Sequence, residues 1–419
     1  MEDGWVSAFA VSFPWRPIAG GVTAPQGFQA AGITAGLKAS GRPDLSLLLA
    51  PEGSVAAGTF TTSLVRAACV DLCSDRLLAT AGSARAVLTN SGQANACTGD
   101  RGVIDSVRAT QAVADRLGIS AEEVLICSTG VIGVPIPMDT LLQALDPLVD
   151  NLSFDGGPDA AQAILTTDLI DKQVALEADL AGQIVRIGGM AKGSGMIHPN
   201  MATMLGYLTC DVGVPAEVWQ GMLSRAVRRS FNVITVDGDT STNDTYLAFA
   251  GGRTLDPSQY DLLEQGITAV SQHLAKAIAR DGEGATCLLE VQVEGAATEA
   301  DALVIARTVC GSSLVKTAVH GRDPNWGRIV AAAGRAGVSF DPTNIALWLG
   351  EHQLMAAGQP VSFDRQAASS YMFDRASGAY LEDDTVLIRL SVGSGAGAGR
   401  AWGCDLSDQY VRINADYTT

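Results

Sequence analysis

Gly188-Gly-Met-Ala-Lys192-Gly-Ser-Gly-Met-Ile-His198-Pro-Asn-Met-Ala202-Thr203-Met-Leu205, close to the middle of the 419-residue chain, is the stretch whose reading decides fold and chemistry. Its glycines permit backbone angles that other residues resist, and a single lysine stands among them. Beyond His198-Pro199-Asn200 the chain enters an apolar run, 201–208, interrupted by Thr203 and Gly206. Such a run reads as a buried strand. A hydroxyl near the start of a buried strand, just behind a loop able to hold strained angles, suits a nucleophile. It also suits a plain strand threonine bonded to backbone, and the difference lies in the supply of a base. Only His198 adjoins Thr203 in sequence. If the chain is cut before Thr203, the freed α-amine, with a pKa near ~8, serves as base for its own hydroxyl. The hydroxyl can make that cut itself by attacking the Ala202 carbonyl, given a strained peptide and an oxyanion site.

Working outward, the N-terminal side offers strands at 45–50, 86–89 and 124–127. The second ends in the polar loop Asn90-Ser-Gly-Gln-Ala-Asn95 and the third in Ser128-Thr129-Gly130, where a hydroxyl and a backbone N–H can face one point. Between them Val103, Val107, Ala114 and Leu117 recur at helical spacing ahead of Gly118, so that face is expected to be buried. Gly157-Pro158 opens a short helix that leads to Thr166-Thr167-Asp168, and a hairpin around 179–183 delivers the glycine run. On the C-terminal side, a helix from 215 to about 231 presents Trp219, Met222, Leu223 and Ala226. A strand at 233–236, the polar loop 237–244 and a strand at 246–249 follow. Helices are expected at 262–279, 301–319 and 326–336. Strands at 385–392 and 401–406 are expected to pair across a glycine-rich tip, and 410–414 to form a last strand. Strands mixed with helices and hairpins indicate an α/β protein with mixed sheets.

Hydrophobic residues at 47% and charged residues at 17% exclude disorder and allow a large core or two lobes. The net charge of −17, with no basic cluster, argues against a nucleic-acid partner. No apolar run approaches the roughly 20 residues that span a bilayer, and residues 5–15 lack a basic leader. The eight cysteines contain no Cys-x-x-Cys and read as buried thiols in a reduced, soluble, cytoplasmic protein. Familiar cofactor motifs fail here. Gly393-Ser-Gly-Ala-Gly-Ala-Gly399 is followed by a strand pattern where a dinucleotide fingerprint needs a helix. The loop at Asp237 has Thr242 where a calcium loop needs glycine. The four histidines include no pair at metal-ligand spacing, and no Gly-x-Ser-x-Gly elbow closes a strand.

Five long motifs occur in order: Ala191-Lys-Gly-Ser-Gly-Met-Ile-His-Pro-Asn-Met-Ala-Thr-Met-Leu205, Ser128-Thr-Gly-Val-Ile-Gly133, Val236-Asp-Gly-Asp-Thr-Ser-Thr-Asn-Asp244, Gly321-Arg-Asp-Pro-Asn-Trp-Gly-Arg328 and Ile413-Asn-Ala-Asp-Tyr417. With them the chain resembles, over nearly its whole length, the ornithine acetyltransferase family, the glutamate N-acetyltransferases of arginine biosynthesis. The resemblance implies a layered α/β sandwich similar in style to the N-terminal-nucleophile hydrolases but differently connected. It implies a precursor that cuts itself between Ala202 and Thr203 into an α chain, 1–202, and a β chain, 203–419, assembled as an α2β2 heterotetramer. Carried over by position, Thr203 is the nucleophile and Thr129 with Gly130 the oxyanion hole. Thr166, Lys192, Glu283, Asn414 and Thr419 then line the substrate pocket with Thr203. The implied reaction moves the acetyl group of N-acetylornithine to glutamate through an acetyl-threonine, with no metal and no cofactor. Whether acetyl-CoA serves as a further acetyl donor is left open by the residues.

Within that set Lys192 suits the α-carboxylate common to both amino acids, with Asn414 and Thr419 assisting. Glu283 suits the ornithine ammonium or the Thr203 amine, and not the glutamate carboxylate. The chain departs from the family pattern in its long Gly-Ala tip at 393–399 and at Thr61-Thr62-Ser63, neither within the catalytic set. Two competing readings use the same residues: an N-terminal-threonine amidohydrolase or aminopeptidase, in which water takes the acyl group, and an uncleaved binding protein.

Overall fold

Hydrophobic alternation along the strands is resolved into three sheets in the computed structural model, which describes residues 13–198 and 204–416. The first sheet has six strands in the order Arg16–Ile18, Lys172–Leu180, Gln183–Lys192, Leu205–Gly213, Thr245–Thr254, Val55–Phe60. The second has four: Gln29–Ile33, Leu45–Leu49, Ala86–Gln93 and Val124–Val131. The third, of seven strands, is built wholly from residues after 203 and centres on Leu288–Ala296. Each of the three sheets contains both parallel and antiparallel pairs, so the sheets are mixed as the sequence implies.

Period-two faces explain the layering. Leu48, Val87 and Leu125 of the four-stranded sheet pack against Met190, Tyr207, Leu247 and Phe249 of the six-stranded one. On the opposite face, Leu45, Leu47, Leu88 and Ile126 meet Ala109, Val113 and Ala114 of the helix Gly99–Leu117, with Leu141, Leu145 and Leu148 beside them. The far side of the six-stranded sheet is covered by Ala216–Arg228 and Tyr260–Arg280 through Trp219, Met222, Leu223, Leu263, Val270 and Leu274. The result is helix, sheet, sheet, helix, each large apolar side chain contributing roughly 1.5–3 kcal/mol by leaving water.

Several expectations need correction. The helix Gly99–Leu117 does stop at Gly118, but Val103 and Val107 are exposed and Gly102, Asp105, Ser106, Ala109 and Thr110 face inward. The cause is polar: Asn95 Nδ2 donates to the Gly102 carbonyl at 3.1 Å and to Ser106 Oγ at 2.9 Å, turning the small face toward the sheet. Residues 90–93 and 128–130 continue their strands, and 188–192 is strand, not free loop. The stretch 301–319 breaks at Gly311 into Glu299–Cys310 and Ser313–His320. Thr385–Ser391 and Gly397–Cys404 do not pair with each other. Leu288–Ala296 lies between them, parallel to the first and antiparallel to the second, and the glycine-rich segment arches over its end with Gly395 N bonded to the Gly295 carbonyl at 3.0 Å. Finally 410–414 is helical, within Asp408–Ala415, because Ser407 Oγ accepts from Gln409 N and caps the turn. All eight cysteines are free thiols, and seven are buried; Cys97 is exposed.

One feature of the topology bears on processing. Gln183–Lys192 runs antiparallel to Leu205–Gly213 with Lys192 opposite Leu205, and Val55–Phe60 pairs with Thr245–Thr254. Hydrogen-bond ladders therefore join residues from both sides of the 202–203 bond.

Candidate active site

Strand ends and helix ends converge on one cavity of about 250 Å³, lined by Thr129, Gly130, Thr166, Lys192, Glu283 and Asn414 together with Ser241, Thr242 and Asn243. Six residues separated by up to almost 300 positions in sequence thus meet where the resemblance places them. Thr203, Ala202 and Thr419 lie outside the described residues.

Gly130 ends its strand at φ 131°, and a Cβ there would lie 2.2 Å from the Gly92 carbonyl carbon, so only glycine allows the two strands to close at this point. Pairing with Ala86–Gln93 shifts register at Gly92 and Gln93, which frees the strand end to turn toward the cavity. Behind it, Asn243 Nδ2 donates to the Ser128 carbonyl at 2.8 Å and to the Ala94 carbonyl at 2.6 Å. The neighbouring Asp244 accepts from Met204 N at 2.9 Å, and Thr245 N bonds the Met204 carbonyl at 3.0 Å. One dipeptide therefore holds both the strand end that carries Thr129 and Gly130 and the residue that follows Thr203. Asp244 is buried, which pushes its carboxyl well above the usual range against the pull of Met204 N and Lys192.

Lys192 is the polar centre of the cavity. Its ammonium donates to Thr166 Oγ1 at 2.7 Å and to Thr129 Oγ1 at 3.3 Å. A hydroxyl that accepts from an ammonium has its own proton free to donate, so both threonines can present O–H donors to a ligand oxygen. Burial lowers the Lys192 pKa, Asp168 pulls it back up, and Lys172 lowers it further. Asp168, fully buried, is the hub beneath. Its carboxylate accepts from Lys172 Nζ at 2.8 Å, Gly193 N at 2.6 Å and Thr166 N at 3.0 Å, and lies 3.8 Å from Lys192 Nζ. Burial opposes its ionisation, but Lys172, Lys192 and these hydrogen bonds prevail and hold the carboxyl well below the usual range. Lys172 in turn donates to Asp281 at 2.6 Å, and the Asp281 carbonyl accepts from Ser194 Oγ at 2.7 Å.

Glu283 follows the helix Tyr260–Arg280 in a tight turn, with its N–H on the Ser194 carbonyl at 3.1 Å. A Cβ on Gly195 would come within 2.6 Å of the Glu283 carboxylate, so the glycine run lies flat against it. Asn414 Nδ2 donates to Glu283 Oε2 at 2.7 Å. The sequence reading of Lys192 and Glu283 as opposite charges in one pocket matches this geometry. His198 turns instead to Thr235, 3.1 Å away, and His320 to Asp405, 2.8 Å away. Among the described residues no group of three His, Cys, Asp or Glu could hold a metal ion. No single helix among them is long and apolar enough to cross a membrane.

Asp168, Lys172, Asp281 and Asn243 escaped sequence reasoning. The first two stand only four apart, but nothing local marks them as buried, and Asp281 is more than 100 residues away. Only the fold reveals the unit.

A mixed α/β scaffold that aims two hydroxyls, a lysine and a carboxylate into a small, partly open cavity suits an enzyme for a small charged substrate. The ArgJ family model matches residues 29–419, and the chain belongs to that family. Two relatives, each called arginine biosynthesis bifunctional protein ArgJ, are 72% identical over 410 residues in Prochlorococcus marinus (strain MIT 9313), covering 98% of this chain and 96% of the relative, and 69% identical over 410 residues in Parasynechococcus marenigrum (strain WH8102), covering 98% of each. A solved ornithine acetyltransferase complexed with ornithine, from Mycobacterium tuberculosis, is 44% identical, covers 44% of this chain and 98% of that one, and has a TM-score of 0.41.

Proposed function

We propose that this chain is the acetyltransferase of arginine biosynthesis that moves the acetyl group of N-acetylornithine to glutamate, using Thr203 as nucleophile. The observation that carries the reading is the convergence of Thr129, Gly130, Thr166, Lys192, Glu283 and Asn414 on one cavity in a member of the ArgJ family. Thr203 Oγ1 attacks the acetyl carbonyl while its α-amine takes the hydroxyl proton, and the Thr129 O–H with the Gly130 N–H receives the developing oxyanion. Collapse of the tetrahedral species returns the proton to the departing nitrogen, releasing ornithine and leaving acetyl-threonine. The glutamate α-amine then attacks the ester, and N-acetylglutamate leaves with the threonine restored. Thr166, Lys192, Asn414 and Thr419 hold the amino acid, and Glu283 faces the ornithine ammonium or the Thr203 amine. Maturation uses the same nucleophile on the Ala202 carbonyl, giving chains 1–202 and 203–419 that assemble as α2β2 in the cytoplasm. Acetylation of glutamate from acetyl-CoA, the second activity of a bifunctional enzyme, proceeds through the same acetyl-threonine.

Ornithine release from N-acetylornithine is expected to require glutamate and to match N-acetylglutamate formed, measured by chromatography of both products. Release at the same rate without glutamate would mean that water takes the acetyl group and the enzyme is a hydrolase. Thr129→Ala is expected to slow both maturation and transfer by roughly 10²–10³, the usual cost of one oxyanion donor. Band conversion on denaturing gels and ornithine release report the two rates, and slowing of transfer alone would mean that maturation uses a different oxyanion site.

A further inference from the structure

The pocket as read so far contains a charge that fits only one of the two substrates. Glu283 suits a cationic tail, whereas the acceptor glutamate brings a second carboxylate, which Glu283 repels. Two further cations stand at the edge of the same wall. Lys38 Nζ donates to the Leu165 carbonyl at 2.8 Å, and Arg42 Nη2 donates to the Thr166 carbonyl at 2.7 Å, while Lys192 holds the Thr166 hydroxyl from inside the cavity. Three cations thus grip the consecutive residues Leu165 and Thr166, the second of which lines the cavity.

The loop bearing them is preset. Asp44, fully buried, accepts from Ala35 N at 2.6 Å, Leu37 N at 2.6 Å and Lys38 N at 2.9 Å, so its charge is taken up by backbone. Gln93 Nε2 ties the Leu37 carbonyl at 2.8 Å, and the Lys38 stem lies against Gly92, the residue that closes on Gly130. Burial drives the Lys38 pKa down to about 8, with Arg42 and Lys192 adding to the fall and Asp44 and Asp168 opposing it. Cations crowded together without a carboxylate bonded to either Lys38 or Arg42 among the described residues leave several N–H donors for an incoming anion.

We propose that Lys38 and Arg42 read the distal carboxylate of the acceptor amino acid, so that acceptor choice is set at this edge while Glu283 serves the donor. The inference rests on the transferase reading above. In outcome terms, the acetyl-enzyme offers its acetyl group to either a glutamate or an ornithine amine, and these acceptors differ chiefly in the sign of the tail charge.

The test uses the matured enzyme carrying Lys38→Met and Arg42→Met together, with N-acetylornithine as donor and either glutamate or isotopically labelled ornithine as acceptor. The ratio of the two kcat/KM values, glutamate over ornithine, is expected to fall roughly ten- to hundredfold, as for loss of charge-assisted hydrogen bonds. Lys38→Arg with native Arg42 should keep most of the preference. A ratio equal to wild type, whatever the overall loss of rate, overturns the proposal, as does a rise confined to the KM for acetyl-CoA, which would assign the edge to the donor's phosphates. A wild-type enzyme that acetylates neither acceptor would overturn the transferase reading itself, a result visible before any variant is made.

Discussion

Thr203→Ala is expected to yield a folded chain that stays at its full 43.3 kDa and releases no ornithine from N-acetylornithine. The substitution removes one hydroxyl and one methyl group from a position beside Met204, whose N–H and carbonyl are already held by Asp244 and Thr245. It therefore deletes the nucleophile while the ladders Lys192–Leu205 and Phe60–Thr245 remain to support the sheet. Both activities are expected to vanish together because, in the proposed mechanism, one atom performs both, first on the Ala202 carbonyl and then on the acetyl carbonyl. In the wild type, the two fragments are expected to stay associated after the cut, since the same ladders join them, and to separate only under denaturing conditions. Electrophoresis with N-terminal sequencing of the fragments decides the matter: a fragment beginning Thr-Met-Leu-Gly supports the site. Cleavage that persists in the variant would remove Thr203 from the role of self-processing nucleophile.

The parts of this site that were legible in the sequence are those written in local chemistry. Thr129-Gly130 comes at the end of the apolar strand run Val124 to Cys127, so its place at a strand end was legible, whereas Lys192 read as part of a glycine loop and is the last residue of a strand. What could not be read is non-local. Tyr410, Val411 and Ile413 are residue types favoured in strands, yet no sheet edge receives them, and the Ser407 cap makes the segment a helix that brings Asn414 to Glu283. Val103 and Val107 follow helical spacing correctly, but the Asn95 side chain selects a different face for burial. Lys38 and Arg42 look like ordinary surface cations until the fold sets them against Leu165 and Thr166. Local pattern names the element, and long-range hydrogen bonds choose its partner and orientation.

Asp168→Asn is expected to destabilise the protein by about 3–5 kcal/mol, the range found when one member of a buried ion pair is removed, and to depress transfer as well. The side chains of Asp168 and Lys172 are fully buried, and Asp168 spends its oxygens on Lys172, Gly193 and Thr166. The amide keeps the shape but not the charge. Lys172 then retains the Ile170 carbonyl at 3.1 Å and one carboxylate, Asp281, whose pKa burial pushes upward even while Lys172 pulls it down. The amide offers one acceptor oxygen in place of two, so either Thr166 N or Gly193 N faces an NH2 group and loses its bond, which loosens the placing of the Thr166 hydroxyl and of Lys192. The effect has a pH signature. Because the folded pKa of Asp168 is depressed, its contribution is complete above the unfolded value near ~4 and fades as pH falls below that. Asp244, whose carboxyl is raised by burial, acts in the opposite sense in both proteins and cancels in the comparison, whereas Asp281 is raised in part by Asp168 and is relieved of that repulsion in the variant. Urea unfolding of wild type and variant should therefore differ by a constant amount from neutral pH down to about 5, then converge at lower pH. A gap that stays constant through pH 3 would mean that the loss is one of packing, and that the Asp168 charge does not hold this end of the pocket together.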